Sequence, residues 1–161
     1  MRAAPLTPGW HAERTPAIIM GSGGVTTYAE LEDRSARMAR ALRARGITEG
    51  DTIAICMENN RPFFEIAWAA QRSGLRHTAI NCHLRPAEVQ YILDDCGAVA
   101  LVSSAAMADV IGRLDLSVIP TLVSADGDLP SFERYGDLLA AAAPGTSTRC
   151  RRWPARRCPS R

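Results

Sequence analysis

The chain has 161 residues and no lysine, so all 19 of its basic residues are arginines. The absence of lysine excludes a Walker-type phosphate-binding loop, because that loop uses a lysine to reach the phosphates. No apolar run approaches the roughly 20 residues that a membrane-spanning helix needs. The first ten residues (MRAAPLTPGW) also lack the apolar stretch of a secretory signal peptide. We therefore expect a cytoplasmic protein with reduced cysteines.

Acidic residues are absent from the end of the chain. All 17 lie at or before Asp137, whereas six arginines fall within the last 13 residues. Residues 1–148 combine 13 arginines with 17 acidic residues, a formal charge of −4, and the remainder carries +6. The contrast predicts a folded unit over residues 1–143 and a disordered arginine-rich tail over residues 144–161. Arginines neutralise phosphates, but without a recognition fold this tail shows only charge, so we expect no specific nucleic-acid partner.

The folded part alternates short apolar segments with helical patterns. Residues 53–57, 78–80 and 99–102 are predicted to be core strands, and residues 118–123 a further strand with Pro120 at a sheet edge or strand entry. Segments 15–20 and 25–26 flank a glycine-rich stretch and suit a hairpin. Strands that alternate with helices at these spacings predict an α/β fold with a mostly parallel, layered sheet and flanking helices.

The first helix is predicted from its start signal. Thr27 is a cap residue, and Glu30 three positions later completes a capping-box pattern. Spacings of four residues predict surface ion pairs between Glu30 and Arg34 and between Asp33 and Arg37.

Further helices are predicted over residues 61–73, 86–96, 104–113 and 131–143. The first of these has Asn59 or Asn60 as its cap and is apolar on more than one face, which predicts a buried helix. We expect buried side chains at four positions in the first two of these helices: Phe63, Ile66, Trp68 and Leu93.

Candidate catalytic and metal-binding residues are few. The glycine-rich segment 21–24 (GSGG) lacks the GxGxxG spacing and suits a hairpin turn better than a phosphate site. Adjacent residues on a strand point to opposite faces, so Cys82 and His83 are a poor nucleophile–base pair. His77 suits a core or edge position on a strand. Cys56 and Cys96 are too far apart in sequence for a tight metal pair and suit buried, inert thiols, as does Cys82.

Asp94 and Asp95 end a predicted helix, where acidic side chains are not favoured. A solvated helix end explains them better than a functional role. The residues themselves therefore identify no catalytic, cofactor-binding or metal-binding group.

Four stretches in a fixed order carry a resemblance: "HAERTPAIIM", "TTYAELEDRSARMARALRARGITEGDTIAICMENN", "PFFEIAWAAQRSGL" and "NCHLRPAEVQYILDDCGAVALV". Together they resemble the opening of AMP-forming fatty-acid–CoA ligases (acyl-CoA synthetases of the adenylate-forming superfamily), particularly those of actinobacteria. The resemblance covers about residues 10–139. It implies the start of a large N-terminal α/β domain. It also implies a family chemistry in which a fatty acid and ATP form an acyl-adenylate, which passes to coenzyme A with magnesium assisting.

The functional motifs of that family do not fall within this sequence. Its phosphate loop reads roughly Thr/Ser-Ser-Gly-Thr-Thr/Ser-Gly-x-Pro-Lys-Gly, and the nearest match, Gly145, Thr146 and Ser147, lacks the flanking residues. We interpret this match as coincidence. The adenine-binding segments, the ribose-binding aspartate and the catalytic lysine would lie beyond residue 161.

The resemblance therefore implies a truncated ligase, inactive alone, that binds none of ATP, magnesium or coenzyme A by itself and has no site residue to assign. The composition of the tail resembles an out-of-frame reading of GC-rich DNA, with a frameshift near residues 144–149. A second chain that complements this one is an additional expected partner. Two alternatives stay open: a non-catalytic remnant or binding module of α/β fold with a basic tail, and an unrelated nucleotide-binding α/β domain.

Overall fold

A computed structural model describes residues 14–142, and it begins with a β-hairpin. Strand β1 (Pro16–Ile19) pairs antiparallel with β2 (Val25–Thr27). The glycine-rich segment between them forms the turn: the Gly23 amide donates to the Met20 carbonyl, and Gly23 has φ 87°. Glycine suits this turn because it adopts a positive φ without steric cost. The hairpin prediction is confirmed.

Helix α1 (Tyr28–Ala44) begins at the predicted capping box. The Glu30 amide donates to Thr27 Oγ1 at 3.3 Å, and the Thr27 amide donates to Glu30 Oε2 at 2.8 Å. Two amides that the helix leaves without intrahelical partners are thus satisfied. The Tyr28 amide also donates to the Thr15 carbonyl at 3.0 Å, which joins the start of α1 to the residue before β1.

Five parallel strands form the central sheet. They are β3 (Thr52–Cys56), β4 (Arg76–Ile80), β5 (Ala98–Ser103), β6 (Thr121–Ser124) and β7 (Glu133–Arg134), in the spatial order β4-β3-β5-β6-β7. Pro120 stands just before β6, where its missing amide costs no ladder hydrogen bond. The predicted mostly parallel α/β fold is confirmed.

Four further helices connect or follow the strands. They are α2 (Arg61–Ser73), α3 (Pro86–Cys96), α4 (Ala108–Ile111) and α5 (Tyr135–Ala141), with a 3-10 turn (Ala105–Met107) ahead of α4. Asn60 caps α2 by accepting from the Phe63 amide at 3.2 Å. The last two helices are shorter than predicted, and β7 occupies part of the stretch that was expected to be helical. Within residues 14–142, no helix combines the length and apolarity needed to cross a membrane.

The core lies on both faces of the sheet. Helices α1, α2 and α5 cover one face, whereas α3 and α4 cover the other. Alternate side chains of β3 enter the two clusters: Ile53 and Ile55 face the first, and Ala54 and Cys56 face the second, all with no exposed surface. This two-sided burial explains why β3 and β5 are continuously apolar.

Helix α2 is not buried on all sides, so the prediction for Trp68 is wrong. Ile66 is fully buried and Phe63 half-buried, but Trp68 is 45% exposed and Phe64 is 39% exposed. Because successive residues rotate by about 100° around a helix, Ile66 faces the sheet while Phe64 and Trp68 point away from it. No described element covers that outer side. Leu93 is buried, as predicted.

Strand β4 exists as predicted but is not a core strand. It pairs only with β3, so it forms the edge of the sheet, and Ile80 is its one buried residue. His77 is exposed there, which fits the predicted edge position.

The tail over residues 144–161, together with Cys150 and Cys158, lies outside the described residues.

Replacing Gly74 by alanine is expected to lower the free energy of unfolding by about 1–2 kcal/mol, since a left-handed conformation costs other residues about that much. Gly74 ends α2 at φ 72°, and an added Cβ would stand 2.8 Å from Glu49 Cγ. The matched control is Gly136→Ala, where an added Cβ meets nothing within 4 Å. Urea titration of both variants tests the expectation, and equal effects would contradict it.

Candidate functional site

The carboxyl ends of β3 and β5 form the topological switch point of the sheet. After β3 the chain places β4 on one side, and it then returns to place β5 on the other side of β3. Helices α2 and α3 make these two crossovers on opposite faces. In open parallel sheets, ligands bind outside the strand ends at such a point. This edge is therefore where the fold itself would place a functional site.

Hydroxyl groups at this edge are already engaged within the chain. Ser103 Oγ donates to the Cys56 carbonyl at 2.7 Å, and Ser104 Oγ donates to Glu58 Oε2 at 2.6 Å. Both serines are fully buried. The two bonds join the ends of β3 and β5, so these side chains close the sheet edge rather than present groups to a ligand.

An open cleft of about 370 Å³ lies beside the ends of β6 and β7. Its charged lining is Asp126, Asp128, Asp137 and Arg134. Arg134 is held by Asp128 in a two-point contact, with N–O distances of 2.6 and 2.7 Å. Carboxylates therefore dominate the cleft, which disfavours the phosphates of a nucleotide.

The described residues at this edge are a poor match to the phosphates of the ATP that the family resemblance implies. The serine hydroxyls at the switch point are committed, and the neighbouring cleft is acidic. Within residues 14–142, no three His, Cys, Asp or Glu side chains are grouped to hold a metal ion.

Cys56 is a buried thiol at the end of β3. Burial, together with the nearby Cys82 and Glu58, raises its pKa to about 11. At neutral pH the group is therefore protonated and is neither a nucleophile nor a metal ligand. Cys96 is partly buried, and all three described cysteines are free.

Cys82 and His83 lie in the turn after β4 and not on a strand. The prediction that strand geometry points them to opposite faces is therefore wrong. Cys82 packs against the apolar cluster beside α3, whereas His83 is exposed. The pair therefore differs in environment even without strand alternation. Asp94 and Asp95 are exposed near the end of α3, and Asp94 accepts a hydrogen bond from Gln90.

A buried carboxylate that the sequence analysis missed links helices α1, α2 and α5 on the face of the sheet that these helices cover. Glu65 in α2 has no exposed surface. Its Oε1 lies 2.7 Å from Arg34 Nε of α1 and 3.4 Å from Arg61 Nε, and its Oε2 accepts from Tyr135 Oη at 2.8 Å. A charge this deeply buried needs such partners, because desolvation is costly. An acidic residue beside Ile66 on the apolar side of α2 was the available signal.

This cluster overturns one predicted ion pair. Arg34 contacts Glu65 rather than Glu30, whose carboxylate is used in the capping box. Burial lowers the pKa of Arg34, but the hydrogen bond and charge of Glu65 outweigh burial and raise it. Burial raises the pKa of Tyr135, and the Glu65 charge adds to this. Tyr135 is therefore a fixed hydrogen-bond donor, and the cluster is structural. The predicted Asp33–Arg37 pair is confirmed at 2.9 Å.

A second ionic contact holds α1 against α2. Arg72, whose side chain is 8% exposed, pairs with Glu32. It also donates to Ser35 Oγ at 2.9 Å and to the Glu32 carbonyl at 3.0 Å. Both contacts orient helices and place no reactive group in solvent.

The comparisons with known proteins agree with the fold. Fatty acid–[acyl-carrier-protein] ligase ScoC of Streptomyces coeruleorubidus is 30% identical over 121 residues, which cover 73% of this chain and 23% of that protein. The benzoate CoA ligase of Burkholderia xenovorans LB400 superposes with a TM-score of 0.73 at 28% identity, covering 83% of this chain and 27% of that one.

The N-terminal domain of FACL13 from Mycobacterium tuberculosis superposes with a TM-score of 0.67 at 27% identity. The match covers 85% of this chain and 33% of that domain. The chain spans between 21% and 23% of the length of three curated relatives, ScoC among them. The sequence pattern of the AMP-binding enzyme family matches residues 10–147. With this match and a parallel sheet like that of the solved ligases, the chain belongs to the AMP-binding enzyme family.

Proposed function

We propose that this chain is the amino-terminal part of a fatty-acid–CoA ligase. The single observation that carries the proposal is the family match over residues 10–147. The family and its relatives support acyl-ligase activity in general. In the proposed reaction, the complete enzyme activates a fatty acid with ATP and magnesium as an acyl-adenylate and then forms the thioester with coenzyme A. The proposed location is the cytoplasm, where the free thiols of Cys56, Cys82 and Cys96 would stay reduced.

The proposal includes inactivity of this chain by itself. Phosphoryl and adenylyl transfer depend on cations and backbone donors aimed at the charge that develops in the transition state. The sequence has no lysine to take part. The described cleft that is open to solvent is lined by three aspartates, which repel phosphates instead of attracting them. A ligase activity would therefore require groups from additional polypeptide.

The purified chain is expected to show no ATP–pyrophosphate exchange above a buffer control. The assay contains ATP, magnesium and fatty acids of several chain lengths. A ligase with an intact phosphate loop and lysine serves as the positive control. Robust exchange that co-elutes with the pure chain would overturn the proposed inactivity while leaving the family assignment intact.

We also propose that the arginine-rich segment after residue 143 is an out-of-frame reading, and that a second chain completes the ligase. The support is compositional: acidic residues stop at Asp137, and six arginines fall in the last 13 residues. Sequencing the DNA downstream of codon 148 tests the first part. Another reading frame that encodes a Ser-Gly-Thr-Thr-Gly-type loop would support the out-of-frame proposal. Non-coding sequence in every frame would contradict it.

A further inference from the structure

The outer side of α2 carries an aromatic surface with nothing described above it. Six large apolar side chains are exposed within residues 14–142: Ile19, Val25, Phe64, Trp68, Tyr91 and Val118. Phe64 and Trp68 are the two that share a helix, and their spacing of four residues puts them on one face. We name this pair the α2 aromatic surface.

The surroundings of this surface have the composition of a protein interface. Arg61, three residues before Phe64, and Gln71, three residues after Trp68, are exposed on the same side of α2. The Arg61 guanidinium is also tied to the buried Glu65, with 3.4 Å between Nε and Oε1. An aromatic centre with a polar rim is typical of binding surfaces, and Trp and Arg are enriched among residues that dominate binding energy.

The helix beneath the surface is held rigidly, so the aromatic pair is presented in a fixed position. Ile66, Ala69 and Ala70 of α2 have no exposed surface and pack against the sheet. Glu65 and Arg72 tie the same helix to α1 by ionic contacts. A surface on a fixed helix loses little conformational freedom when a partner binds.

A solved domain that is longer than this chain points to an occupant. This chain covers only 33% of the FACL13 N-terminal domain, to which it is 27% identical. A domain of that kind has polypeptide outside the part that corresponds to this chain, and because one domain shares one core, some of it lies against that part. Phe64 and Trp68 are the two large exposed apolar side chains that share one helix face, so packing at this place would remove both aromatic rings from water together.

We propose that the α2 aromatic surface binds the polypeptide that supplies the rest of the ligase N-terminal domain. This inference rests on the proposed function, because it takes its occupant from the ligase family. It adds the surface of contact and makes Phe64 and Trp68 the anchoring residues.

The test is co-expression of the full tagged 161-residue chain with the part of the FACL13 N-terminal domain outside the aligned third. The wild-type chain should co-purify with that polypeptide. Phe64→Arg and Trp68→Arg should each weaken the apparent Kd by about 30-fold or more, as expected for anchoring aromatics. Tyr91→Arg on α3 is the matched control, since Tyr91 is an exposed aromatic on the opposite side of the sheet, and it should leave co-purification unchanged.

Folding of the variants is checked separately on the chain alone. Because Phe64 and Trp68 are exposed, the Tm of each variant should stay within about 3 °C of the wild type. Failure of the wild-type chain to co-purify would overturn the inference, as would equal binding by all variants or equal loss with Tyr91→Arg. A wild-type dimer that Trp68→Arg dissociates would identify a second copy as the occupant and would also overturn it.

Failure of the proposed function gives a different result. A co-purified complex that depends on Trp68 but shows no pyrophosphate exchange when the complete remainder of the ligase is supplied would contradict the ligase function and leave the binding surface in place. Pyrophosphate exchange that persists with Phe64→Arg and Trp68→Arg would support the ligase function and contradict the proposed binding surface.

Discussion

Glu65→Ala is expected to lower the free energy of unfolding by about 3–5 kcal/mol, the usual cost of removing one partner from a buried ion pair. The substitution leaves Arg34 and the Tyr135 hydroxyl without the carboxylate that they contact at 2.7 and 2.8 Å. The Arg34 side chain is 30% exposed, so water can replace part of its lost contact with the carboxylate. Tyr135 is only 2% exposed, so its hydroxyl group would be left without a hydrogen-bond acceptor. Since small domains are stable by only about 5–15 kcal/mol, the variant should be close to unfolding.

Urea titration followed by circular dichroism measures this effect. Asp33→Ala is the control, because it removes an exposed pair between Asp33 and Arg37 on α1 and should cost about 0.5 kcal/mol or less. In a double-mutant cycle, Arg34→Ala should destabilise the Glu65→Ala background less than it destabilises the wild type. Equal losses for Asp33→Ala and Glu65→Ala would show that the buried cluster contributes nothing beyond a surface pair.

Leu101→Ala is expected to destabilise the chain by about 2–5 kcal/mol, because it leaves a cavity between the sheet and helices α3 and α4. Leu101 has no exposed surface and lies on β5 between Ala54 of β3 and Leu122 of β6. Neighbouring strands are fixed by their ladders and can collapse only partly into the space. In a urea titration, this loss of stability should appear as a lower midpoint concentration with an unchanged m-value.

Val118→Ala is the matched control for this cavity. Val118 is 77% exposed, in the segment before β6, so removing its methyl groups should change stability by less than about 0.5 kcal/mol. If Leu101→Ala were as mild as the control, the packing of Leu101 between the sheet and helices α3 and α4 would be incorrect.

Local sequence patterns determined the elements that depend on neighbouring residues. Thr27 and Glu30 specify the start of α1 because both halves of a capping box lie within one turn. The alternation of apolar segments and helices was enough to predict a parallel sheet, since parallel strands need crossover connections. The same patterns misjudged α2, because a count of apolar residues around a helix does not say which sides have a partner.

The candidate site was less predictable than the fold. The switch point follows from strand order, which brings Glu58 and Ser104 together across 46 positions of sequence. Nothing near either residue in the sequence signals that contact. The sequence did predict correctly that the glycine-rich segment is a turn, because a turn needs only local backbone freedom.

The sequence by itself determined the α/β architecture, the hairpin, the capped first helix and the family resemblance, all of which rest on short-range order or on residue identity. Only the tertiary structure decided that β4 is an edge, that Arg34 pairs with Glu65 of α2 instead of Glu30 one turn away, and that Trp68 faces outward. The physical reason is the same in each case. Burial and ion pairing depend on which distant element arrives next to a residue, and that arrival is set by packing of the whole chain, not by the spacing of its neighbours.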